Sequence, residues 1–142
     1  MGKSDSDLLR EISRVYAQLQ RKIVGCCGIT STQCQLLCAI GENGRILQSE
    51  LINRLGLEKS WISRAVDTLE KEGLVERDKC CGDARRLEVV FTETGRNRFD
   101  LVNHTLDEQV VAVMECIPET QREGMHRALE ALCTALSSLA PA

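Results

Sequence analysis

Aromatic side chains are scarce in this chain: Tyr16, Trp61, Phe91 and Phe99 are the only four among 142 residues. That excludes a stacking platform for single-stranded nucleic acid, which needs successive aromatic faces. It also excludes a large aromatic-lined cage for a drug-sized ligand. No apolar run approaches the roughly 20 residues that span a bilayer. The first residues, Met1-Gly2-Lys3-Ser4-Asp5-Ser6, lack the apolar stretch of a secretory signal. The expectation is a cytoplasmic protein with no membrane partner. No Cys-x-x-Cys pair and no Cys/His finger spacing occurs, which argues against a structural zinc finger. A small thiol oxidoreductase would need such a motif, a Cys/His pair or a glycine-rich cofactor loop, and none is visible.

What the chain does have is enough apolar surface for one ordinary domain, at 43% hydrophobic and 27% charged residues. Its net charge is −3, and the placement of charge matters more than the sum. Residues 1–44 carry 5 basic and 4 acidic side chains, residues 45–98 carry 11 and 10, and residues 99–142 carry 2 and 7. Acidity is therefore concentrated in the last third. The middle is free to present a local basic edge.

Periodicity divides the chain into helices. Leu8, Ile12, Val15, Leu19 and Ile23 recur at steps of three and four and predict an amphipathic helix over 8–23. Thr30 and Gln33 form a capping box that opens a second helix through Ile40, closed by Gly41 and Gly44. Helices over 48–55 and 59–72 follow, joined at Gly56 and closed by Gly73, the pattern of a helix-turn-helix. Residues 74–77 and 87–91 read as two strands around Gly82, a hairpin in the position of a wing. The helical period returns from Thr92 to Ile117, Pro118 breaks it, and Met125, Leu129, Leu132, Leu136 and Leu139 form a last stripe. These terminal helices exceed what a winged helix-turn-helix needs to cover its own core. The surplus apolar stripe points to a helical dimer interface. The expected fold is mainly α (α+β), with residues 1–28 an N-terminal dimerisation helix, 29–95 a winged helix-turn-helix lobe and 96–142 C-terminal dimerisation helices.

Asp83-Ala84-Arg85-Arg86-Leu87-Glu88-Val89-Val90-Phe91-Thr92-Glu93-Thr94-Gly95 resembles the wing signature of the MarR family of winged-helix transcriptional regulators, followed by that family's Thr-x-x-Gly turn. Trp61 to Arg77 is similar to its recognition helix and first wing strand, and Ile29 to Gln33 to the opening of its second helix. The resemblance covers roughly residues 8–140. It implies no enzyme but a dimeric repressor on a pseudo-palindromic double-stranded operator. Lys59, Ser60, Ser63 and Arg64 lie in the half of the recognition helix that faces base edges and phosphates. The resemblance puts Arg85 in the minor groove, with Asp83 orienting it by a charge-assisted bond and Arg86 beside it. Arg77 is expected equally to hold the wing or a phosphate, and Trp61 to pack against the wing.

Eight cysteines remain to be explained. In a reducing compartment, clustered cysteines point to metal binding or redox chemistry. Cys34 takes the place of a bulky aromatic common in the family, and Cys38 lies one turn on, so their sulfurs converge. Cys34 is in the first helical turn, where the dipole is expected to lower its pKa. Cys26 and Cys27 lie a short loop away, so three or four thiolates are expected to gather, suiting a soft metal or metalloid ion. Cys80 and Cys81 sit in the wing loop. The release signal is thus read as a thiophilic ion or an oxidant, the alternative being a small organic ligand with the cysteines merely structural. Cys116 and Cys133 read as packing residues.

Overall fold

A computed structural model describes residues 2–79 and 86–140. Six helices and three strands follow one another: α1 (Asp5–Cys26), α2 (Ser31–Ile40), β1 (Arg45–Leu47), α3 (Gln48–Leu55), α4 (Lys59–Lys71), β2 (Val75–Lys79), β3 (Leu87–Phe91), α5 (Glu93–Glu115) and α6 (Glu119–Leu139). The chain forms two compact units, residues 1–104 and 105–142. No single helix is long and apolar enough to cross a membrane.

Local chemistry sets the helix ends. Thr30 Oγ1 accepts from the Gln33 N–H while the Gln33 side chain accepts from the Thr30 N–H, so the expected capping box opens α2. α1 begins three residues earlier than its apolar stripe because Ser4 and Asp7 form a second box of the same kind. Between α3 and α4 the chain must reverse in three residues. Gly56 supplies the left-handed conformation (φ 63°, ψ 28°) that ends α3 and makes this turn possible.

In residues 1–104 the core is built where α2, α3, α4 and the sheet meet. Leu36, Ile40, Ile46, Leu51, Ile62, Val66, Leu69, Leu74, Val75 and Val89 form it. On α4, Ile62, Val66 and Leu69 recur at steps of four and three and are wholly buried. Trp61 packs half-buried against the same cluster. Burying each of these aliphatic side chains contributes roughly 1.5–3 kcal/mol before entropy is counted.

The sheet is antiparallel with order β1-β3-β2. β3 pairs with β2 in the register Val75↔Phe91 through Lys79↔Leu87, which is the expected hairpin. The third strand, β1, was not expected. It pairs Arg45 with Val90 and Leu47 with Glu88, and the Gly44 carbonyl accepts from the Phe91 N–H at 2.8 Å. Its three residues carry no period of their own and become a strand because the β3 edge is there to pair with.

Thr92 and Gly95 lock the sheet to α5. The Thr92 hydroxyl donates to the Gly73 carbonyl and accepts from the Gly95 N–H. Gly95 lies against the Leu74 carbonyl so closely that a Cβ there would sit 1.8 Å from its oxygen. Beside it, Phe91 and Phe99 rings pack 5.5 Å apart and the Arg96 guanidinium covers the Phe91 ring at 5.3 Å. Gly95→Ala is expected to destabilise the fold by at least about 1–3 kcal/mol, because backbone must shift to admit the methyl. Urea unfolding checks this, and an unchanged midpoint would show that the contact is not rigid.

Candidate nucleic-acid interface

Seating Ile62, Val66 and Leu69 inward turns the opposite face of α4 outward. Lys59, Ser60 and Arg64 are exposed on its N-terminal half, and Ser63 is half-buried. No side chain caps the N-terminus of α4, whose preceding residue is Glu58, so its first N–H groups face solvent or an anion. Among the described residues neither Lys59 nor Arg64 is engaged in an ion pair. Arg86, just before β3, is exposed as well. Asp83 and Arg85, with Cys80 and Cys81, lie outside the described residues.

Arg77 on β2 is engaged by residues of the two preceding helices. Its Nη1 donates to Asp67 Oδ1 at 2.5 Å and to Glu70 Oε1 at 3.5 Å, its Nη2 to the Ser63 carbonyl at 2.8 Å, and its Nε to Gln48 Oε1 at 3.1 Å. The Arg77 N–H also donates to Glu70 Oε2. With its side chain only 16% exposed, this guanidinium ties the wing strand to α3 and α4. Of the two roles the sequence leaves open for Arg77, a hold on the wing or on a phosphate, these contacts support the first. Asp67 and Glu70, one turn apart on α4, carried the only sequence signal for it.

Among the described thiols, two meet as a pair. Cys34 Sγ and Cys38 Sγ lie 4.0 Å apart on α2, Cys34 buried and Cys38 exposed. The expected lowering of the Cys34 pKa is overturned. The hydrogen bond between the two sulfurs, together with burial, pushes the Cys34 thiol pKa up. The same hydrogen bond stabilises the Cys38 thiolate and brings its pKa down to about 7. Nor do three or four thiolates gather, since among the described residues no three His, Cys, Asp or Glu side chains form a metal-holding group.

A cavity of about 530 Å³ opens near the α1–α2 loop, lined by Gly28, Ile29, Thr30, Gln33, Glu72, Leu74, Thr94 and Arg98. The buried Gln33 amide donates to Glu72 Oε2 at 2.6 Å, and Arg98 Nη1 donates to the Gly28 carbonyl at 3.4 Å. No spacing in the sequence announces this cavity, because its wall comes from three separate segments.

Residues 29–87 match the family model described as the MarR family. The transcriptional regulator FarR of Neisseria gonorrhoeae is 28% identical over 97 residues, 68% of this chain and 66% of FarR. The chain thus spans just under two thirds of that relative. A solved MarR family protein from Bacillus stearothermophilus superposes with a TM-score of 0.82 at 26% identity, over 93% of this chain and 92% of that one. The MepR–DNA complex of Staphylococcus aureus gives 0.76 at 22% identity, over 95% and 99%, a likeness of fold.

Two expectations follow from this geometry. Arg77→Ala is expected to cost about 1.5–3 kcal/mol, the range for hydrogen bonds to charged groups, while Arg64→Ala stays within about 0.5 kcal/mol of the parent. Thermal unfolding of both separates anchor from free cation, and equal losses would contradict the assignment. Alkylation of Cys38 is expected to rise with pH through a midpoint near 7 as the thiolate forms. Cys34→Ala removes the hydrogen bond between the sulfurs and is expected to move that midpoint up toward the ordinary value of roughly 8.5. Iodoacetamide rates mapped by mass spectrometry test it, and an unmoved midpoint would sink the pairing.

Proposed function

Since the chain belongs to the MarR family of winged-helix transcriptional regulators, we propose that it is a homodimeric, cytoplasmic repressor, released from its operator by a signal at cysteine. The observation that carries the DNA reading is the outward half of α4, with Lys59, Ser60 and Arg64 exposed. An α-helix fits the major groove of B-form DNA, and its N-terminal residues reach base edges. In this reading Arg64 reaches guanine O6 and N7 or a phosphate, while Lys59, Ser60 and Ser63 fix register on the backbone. Arg77 fixes the angle of the wing to α4. At the wing tip Arg85, oriented by Asp83 and flanked by Arg86, enters the minor groove.

Dimerisation is supported by apolar side chains left in solvent. Ile12 on α1 is 60% exposed and Leu139 on α6 is 81% exposed, with Leu8, Val15, Leu129 and Leu136 exposed on the same helices. A lone chain rarely leaves so much apolar surface uncovered. Residues 1–28 and 96–142 would pair with a second copy, and the 29–95 lobes of the two copies would then read a pseudo-palindromic site.

The trigger is a soft metal or metalloid ion, or an oxidant, acting at the cysteines, with Cys34–Cys38 as the assembled pair. Cys26 and Cys27 lie next to it in sequence, and Cys80 and Cys81 in the wing loop are further candidates. α2, which carries the pair, packs against α3 and α4, so a change there reaches the reading helix. A second reading, a small organic effector with structural cysteines, is favoured by the 530 Å³ cavity beside Gln33, Glu72 and Arg98, a size typical of small-molecule sites.

Gel shifts on the duplex upstream of the protein's own gene test the reading. Binding is expected at low salt and is expected to weaken steeply as salt rises, because phosphate contacts release counterions. Arg64→Ala is expected to lose about 1–3 kcal/mol of operator affinity, roughly 5- to 150-fold. Arg85→Ala is expected to lose at least about 10-fold, with melting and dimer mass unchanged. A reduced protein that ignores duplex DNA at low salt refutes the function, and a normal shift by the Arg85 variant refutes the wing assignment.

A further inference from the structure

The Cys34–Cys38 pair can be joined in two ways, and their geometries differ. A disulfide needs sulfurs about 2.05 Å apart and Cβ atoms about 3.5–4.5 Å apart. Residues four apart on a helix hold their Cβ atoms at roughly 5–6 Å. Closing a disulfide here would pull α2 inward where Leu36, Leu37 and Ile40 are buried. A bridging ion has no such demand. Two metal–sulfur bonds of roughly 2.3 Å span about 3.8 Å at a tetrahedral angle and about 4.6 Å when linear. The observed separation of 4.0 Å lies inside that range. The helix already holds the sulfurs as far apart as an ion would.

The donor set narrows the ion. Structural zinc takes four ligands, and among the described residues no third Cys, His, Asp or Glu completes a group around the pair. Thiolate sulfur selects soft ions, copper(I) foremost among those of low coordination number. Cys38 is exposed and Cys34 buried behind it, so an ion arrives at the rim sulfur and is closed off by the inner one.

We propose that Cys34 and Cys38 form a two-sulfur site for one soft, low-coordinate metal ion of the copper(I) class. This deepens the cysteine-triggered reading above and rests on it for its regulatory meaning. Binding is coordination without electron transfer. The ion replaces the proton held between the sulfurs, two metal–sulfur bonds form, and that proton passes to solvent. The pair sits on the helix that packs against α3 and α4, so the ion reaches the regulator without unwinding the fold.

The test is anaerobic titration of the reduced full chain with copper(I), in competition with a coloured chelator and without DNA. A variant carrying serine at positions 26, 27, 80, 81, 116 and 133 is expected to keep one tightly held ion per chain. X-ray absorption at the copper edge is expected to show a two-sulfur shell. Adding Cys38→Ser, at an exposed position where folding is not at risk, is expected to weaken binding at least 100-fold with helix content unchanged. Cys34→Ala, checked for unchanged melting, is expected to do the same. Undiminished binding after Cys38→Ser overturns the proposal, as does a shell of three or more sulfurs. Peroxide closing the pair to a disulfide as fast with copper(I) present as without it also overturns it. A protein that shifts operator DNA yet holds no copper(I) at the pair defeats this site alone. One that holds the ion but binds no duplex defeats the functional reading alone.

Discussion

The seat of α4 on its core is the constraint from which the interface follows. Ile62, Val66 and Leu69 are wholly buried, so the rotation of the helix about its axis is fixed. A turn of one residue would move about 100° of surface, expelling an apolar side chain and burying a charge. Lys59, Ser60 and Arg64 therefore face outward because other residues of the same helix must face in. The outward half has few internal partners, and that leaves it available to a ligand.

A reading helix alone does not orient a wing. That coupling is electrostatic and steric. The Arg77 guanidinium joins β2 to both helices of the helix-turn-helix through Gln48, Ser63, Asp67 and Glu70. The Thr92 hydroxyl and the bare Cα of Gly95 hold the start of α5 against the chain leaving α4. Hydrogen-bonded networks of this kind, when fully satisfied, rigidify the geometry they join. A displacement of α4 is thus also a displacement of the sheet.

The thiol pair occupies a related position. α2 supplies Leu36 and Ile40 to the core that seats α4, and Cys34 and Cys38 lie on the same helix. Residue spacing was sufficient to show that the two sulfurs meet, because positions four apart share a face. It was not sufficient to show which one ionises. The helix dipole favoured Cys34, but its hydrogen bond with the Cys38 sulfur and its burial outweigh the dipole. A dipole effect near a helix end is typically 0.3–1 kcal/mol, whereas desolvation of a charge is larger.

Local rules determined most of the elements. The capping box at Thr30, the glycine turn at Gly56 and the apolar steps along α4 act within a few residues, so the order of nearby side chains specifies them. The family signature, too, is a pattern of neighbours. Long-range contacts decided the remainder. β1 exists because β3 offers it an edge, and Arg77 is an anchor because Gln48 and Glu70 converge on it from other elements. Among the described residues Cys34 and Cys38 meet as a pair, and no larger group of metal-holding side chains forms around them. Periodicity encodes which face is apolar, and only the packed chain determines what that face, and the one opposite it, will meet.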